Sequence, residues 1–135
     1  MASKVLGSLT MDRGSGILSG QFTDGTSDAA LIVTQAASNS LDISAVVRAA
    51  FQVVNGAAED FTFTVEGSID GTNFSTIAYG TGSSAAYTQA AATVSAGAKG
   101  IFYLPDADVI RYLRLNITAS NAANGTAVHF FGRLA

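Results

Sequence analysis

The chain has no cysteine and no tryptophan, and only one proline and one histidine among its 135 residues. Without cysteine there is no disulfide scaffold, thiolate metal site or cysteine nucleophile, and the sequence reads away from a small secreted module. A single imidazole, His129, cannot build a zinc site, which wants several His or Cys ligands. As a catalytic base His129 would need a serine beside it, yet no G-x-S-x-G elbow joins a strand to a helix. No P-loop or dinucleotide-binding fingerprint occurs either. No metal or cofactor is expected.

Charge is scarce as well. Only 13% of residues are charged, and the two lysines and five arginines stand singly in a chain of net charge -3. That leaves no phosphate-binding stripe, so nucleic acid is not the expected ligand. No apolar run approaches the ~20 residues that span a bilayer, and Met1-Ala2-Ser3-Lys4 lacks the apolar region of a signal peptide. The expectation is a soluble intracellular product with no membrane partner.

What is present is small. Ala, Gly, Ser and Thr make up 65 of the 135 residues, yet a hydrophobic share of 48% supports a folded domain. Residues 1–28 mix Gly, Ser and Asp with isolated apolar residues and read as an extended N-terminal arm. Residues 29–135 read as a β-sandwich domain: short runs rich in Val, Ile, Phe, Tyr and Thr alternate with Gly, Asn, Asp and Ser clusters. Candidate strands are 29–37, 40–46, 60–69, 73–80, 86–95, 99–104, 109–119 and 125–134. About eight antiparallel strands at this spacing predict an all-β sandwich or jelly roll. Two segments stay open between helix and strand or loop: 44–56, with Ser44 and Gly56 as possible caps, and the alanine-rich 85–98.

Alternation assigns faces. Phe61, Phe63 and Val65 alternate with Thr62, Thr64 and Glu66, and Asp70-Gly71 supplies the turn that follows. Asp70-Gly71-Thr72-Asn73 is a fragment of a calcium-loop pattern, more simply read as turn chemistry. In 109–119, Leu113, Leu115 and Ile117 share one face, with Tyr112, Arg114 and Asn116 on the other. In the last strand Val128, Phe130 and Leu134 point inward, and His129, Phe131 and Arg133 outward. Tyr112, Arg114, His129, Phe131 and Arg133 are therefore the candidate interface, because aromatic and arginine side chains are enriched at the centres of protein contacts. The alternative is that this second face is covered within the monomer.

Asn39-Ser40-Leu41-Asp42-Ile43, FTFTVEGSIDGTNFSTIA (61–78), AGAKGIFYLPDADVIRYLRLNIT (96–118) and GTAVHFFGRL (125–134) resemble the jelly-roll decoration, or cement, proteins of tailed-bacteriophage capsids. The S-x-D-G-x-x-F turn and the L-P…RYLRL strand carry the likeness. The resemblance implies a non-enzymatic structural protein that forms a homotrimer and binds the major capsid protein on the capsid exterior. It would reside in the host cytoplasm during assembly. The arm would then lie along a neighbour or the shell. A similar turn and [RK]-Y-[LIV]-R-[LIV] strand occur in discoidin-like carbohydrate- or lipid-binding sandwiches, although those usually carry Trp where this chain has Phe74. Another head, tail or fibre accessory protein is a further alternative.

Overall fold

The computed structural model describes residues 9–23, 37–56, 59–81, 86–119 and 126–135. These residues form twelve strands: β1 (Thr10–Asp12), β2 (Ile17–Phe22), β3 (Leu41–Asp42), β4 (Val46–Asn55), β5 (Phe61–Ser68), β6 (Ser75–Thr76), β7 (Tyr79–Thr81), β8 (Tyr87–Thr88), β9 (Ala92–Val94), β10 (Lys99–Leu104), β11 (Tyr112–Ala119) and β12 (Thr126–Leu134). A 3-10 turn over Ala107–Val109 is the one helical element among them. The strands build two antiparallel sheets. The larger runs β1-β2-β12-β4-β10-β7-β8, and the smaller runs β3-β11-β5-β6, with β9 also paired to β5.

The sheets meet face to face through phenylalanine. Phe22, Phe51, Phe102 and Phe130 point inward from the larger sheet, Phe61 and Phe63 from the smaller, and all six are buried. Phe63 reaches across to Phe51 and Phe102, with ring centres 5.9 and 5.3 Å apart, while Phe51 and Phe102 stack at 5.2 Å. Tilted and edge-on aromatic pairs add about 0.5–1.5 kcal/mol each beyond the area they bury. Val53, Val65, Leu113, Leu115, Ile117 and Val128 fill the rest by period-2 alternation. At one end, buried Asn55 ties three strands together. Its Nδ2 donates to the carbonyls of Glu59 and Val94, and its Oδ1 accepts from the Thr126 hydroxyl at 3.0 Å.

An all-β sandwich is therefore the architecture, but several expected boundaries shift. Residues 10–22, expected as part of an extended arm, form the β1–β2 hairpin, and β2 pairs with β12 along six residues. Leu18 and Phe22 point into the core from β2, with Gly20 between them, so the inward face shows only two apolar side chains in sequence. Removing this hairpin would therefore take Leu18 and Phe22 out of the core. Residues 1–8 and 24–28 of that segment lie outside the described residues. Segment 44–56 is the strand β4, at the centre of the larger sheet, where packing on both neighbours overrides local helix propensity. In 85–98 the described part holds only β8 and β9, joined by loop. The expected strand 73–80 divides into β6 and β7. The expected strand 29–37 lies outside the described residues except Ala37, which bridges Asn116.

Replacing Phe51, at the crossing of four rings, by Ala is expected to cost about 3–5 kcal/mol in urea denaturation, whereas Phe131→Ala stays within about 0.5 kcal/mol.

Candidate functional site

The sandwich has two outer faces of different chemistry. On the smaller sheet, the register sets Thr64 opposite Asn116 and Thr62 opposite Thr93, whose hydroxyls lie 2.9 Å apart. Arg114 faces Glu66 across the ladder, and its Nε donates to Glu66 Oε1 at 2.7 Å. Its guanidinium also lies 3.9 Å above the Phe74 ring. Tyr112 packs over Gly71, where a Cβ would come within 3.3 Å of its ring, and the Arg111 guanidinium lies 5.5 Å from the centre of the same ring. Thus Tyr112 and Arg114 are half-buried and engaged within the chain.

The larger sheet presents a different surface. Its outward positions form cross-strand rows: Ser19, Phe131, Ala50, Tyr103 and Gly80 in one, and Gln21, His129, Gln52 and Ile101 in the next. Tyr87 on β8 extends the first row by lying over Gly80, where any Cβ would sit 2.7 Å from the ring. Phe131, Tyr103, Ile101 and Tyr87 are 43%, 42%, 44% and 54% exposed, four large apolar side chains on one face. All eight phenylalanines are described. Six are core, Phe74 is half-buried beneath Arg114, and Phe131 alone stands in solvent. Arg48 and Arg133 are paired directly across β4 and β12, and with Ala49, Ala50, Tyr103 and Phe131 they line a shallow groove of about 270 Å³.

The five residues singled out from sequence are thus split between opposite faces. His129, Phe131 and Arg133 share the larger sheet, and Tyr112 and Arg114 lie on the smaller one. His129 faces Gln52 and Gln21 in the ladder, with no acid opposite it. Sequence reasoning missed Arg48, Ala50, Ile101, Tyr103 and Tyr87. Reading 46–55 as a strand would have found the first two, since Arg48, Ala50, Gln52 and Val54 alternate with Phe51, Val53 and Asn55.

Among the described residues, Asp12, Asp42, Asp60, Glu66 and Asp70 have local partners. Asp70 Oδ1 accepts from the Thr72 and Asn73 amides at 2.8 Å and from the Ser68 hydroxyl at 3.0 Å, and its Oδ2 accepts from Asn73 Nδ2. These bonds, the Asn73 amide foremost, hold its pKa far below the ordinary carboxylate range. Gly71, at φ 80°, lets the chain close a six-residue loop (69–74) here, longer than the tight hairpin expected. Among the described residues no group of three or more His, Cys, Asp or Glu could hold a metal ion together. In comparisons with known proteins, no family model matches the chain, and no curated protein or solved structure matches it.

Because the folded state lowers the Asp70 pKa, its stabilising effect is complete above the unfolded value of about 4 and disappears as pH falls below it. Thermal melts should therefore show Asp70→Asn less stable than the native protein by a constant margin above about pH 5. That margin should narrow steadily from about pH 4 to pH 2.

Proposed function

We propose that the protein is a non-enzymatic structural component of a phage virion. It binds the outer surface of the capsid through the outward face of the larger sheet and bridges neighbouring subunits of the major capsid protein. The observation that carries this reading is the grouping of Phe131, Tyr103, Ile101 and Tyr87 on one sheet face beside Arg48 and Arg133. Exposed aromatic side chains bring large contact area at low entropic cost, and arginine is enriched beside them at interface centres. The sequence likeness to capsid decoration proteins supplies the partner.

A shell is a repeating target. A homotrimer making three modest contacts gains affinity through effective concentration, and binding only the mature lattice stabilises that lattice by mass action. The small residue Ala50 keeps the sheet surface low between Tyr103 and Phe131, so a partner backbone can approach closely. On this reading the protein assembles in the host cytoplasm and ends on the capsid exterior.

Co-sedimentation with expanded and unexpanded capsids tests the proposal. The native protein should pellet with expanded shells, and Phe131→Ser and Tyr103→Ser should lose most of that binding with melting temperatures within about 2 °C of native. A protein that remains in the supernatant with both shell forms, or that light scattering shows to be a monomer and a glycan array shows to bind sugars, would instead fit the discoidin-like alternative.

A further inference from the structure

Two arginines lie over aromatic rings on opposite faces of the sandwich. On the smaller sheet Arg114 covers Phe74, and the residue opposite it in the ladder is Glu66, whose carboxylate accepts from its Nε. On the larger sheet Arg133 lies 5.2 Å from the centre of the Phe131 ring, but the residue opposite it is Arg48. Like charges directly opposite on one sheet face repel. Among the described residues the only ion pair is that of Arg114 with Glu66, so neither Arg48 nor Arg133 has a carboxylate partner.

One acid shares their cross-strand row. Asp12 lies on β1, beyond Ile17 of β2, and its oxygens accept from the Ser15 amide and hydroxyl at 3.2 and 3.0 Å. The sheet is also irregular at this point. Arg133 pairs with Arg48 and Leu134 with Val46, so Val47 is an extra residue, and both Val47 and Arg48 are exposed. Bulges of this kind re-aim side chains at sheet rims.

We propose that the groove formed by Arg48, Ala50, Tyr103, Phe131 and Arg133 receives an acidic side chain, Glu or Asp, from an exposed segment of a protein partner. The inference rests on the docking face described under Proposed function and adds the chemistry of what docks there. The incoming carboxylate completes at Arg133 and Phe131 the arrangement that Glu66 completes at Arg114 and Phe74. A guanidinium fork suits carboxylate oxygens, and the aromatic walls exclude water around the pair. A nucleic acid fits less well, because this face offers only Arg48, Arg133 and Lys99 on a chain of net charge -3.

The probes are isotope-labelled full-length protein titrated by NMR with octaglutamate, octalysine and an eight-residue oligothymidylate. Octaglutamate should shift signals of residues 48–50, 103 and 131–133, and the other two should not. Arg48→Glu places a carboxylate opposite Arg133 within the chain, so it should raise the melting temperature by ~1–3 °C and weaken octaglutamate binding at least ~10-fold. Arg111→Glu, an equal charge change just before β11 and away from this groove, should leave that binding unchanged. Equal binding of oligothymidylate, shifts centred elsewhere, or full octaglutamate affinity in Arg48→Glu would overturn the inference. The capsid assay separates this from the broader reading. If Arg48→Glu still pellets with shells, the acidic contact fails and the docking role stands. If native protein binds octaglutamate but no shell, the docking role fails and the acidic contact stands.

Discussion

The contact of Phe63 with Phe51 and Phe102 across the two sheets is the interaction on which the rest of the structure depends. Nearly half the chain is Ala, Gly, Ser or Thr, so few side chains are large enough to span the space between sheets about 10 Å apart. Six phenylalanines and Tyr79 do most of it: β4, β5, β10 and β12 carry five of the phenylalanines, while β2 adds Phe22 and β7 adds Tyr79. This economy fixes where other residues can go. Large apolar side chains are few in such a sequence, and of those that stand exposed, Phe131, Tyr103, Ile101 and Tyr87 gather on the same outward surface.

The two outer faces show what a satisfied and an unsatisfied surface look like in one fold. On the smaller sheet threonine hydroxyls pair with each other, and the one basic side chain has its acid and its ring. On the larger sheet aromatic rings stand in water and two arginines oppose each other. Local arrangements that work against stability concentrate at functional surfaces, where binding compensates for them. The sandwich class does not specify a function, so the argument for docking comes from this face alone.

The fold class was legible because β5, β11 and β12 alternate cleanly. Phe61, Phe63 and Val65, then Leu113, Leu115 and Ile117, then Val128 and Phe130, are all buried, and the intervening residues are not. Only Leu134 strays, left half-buried where the register slips beside it. The candidate surface was half legible. Phe131, Arg133 and His129 were placed outward, but joining them to Tyr112 and Arg114 required the two strands to share a sheet, and they belong to different ones. Alternation gives a side within one strand and says nothing of which sheet that strand enters. β10 hid its outward residues for another reason: Ile101, Phe102, Tyr103 and Leu104 are all apolar, so no period separates the exposed pair from the buried pair. β4 was obscured by the doublets Val46-Val47, Ala49-Ala50 and Val53-Val54, and β2 by Gly20 at an inward position.

The central claim is that the larger sheet's outward face, and not the threonine face, meets the shell. Hydroxyl-radical footprinting of the protein free and bound to expanded capsids tests it directly, since aromatic side chains report on both faces. The account predicts protection of Tyr87, Tyr103 and Phe131 on binding, with Phe74 and Tyr112 unchanged. Protection of Phe74 and Tyr112 with Tyr103 and Phe131 still reactive would contradict it.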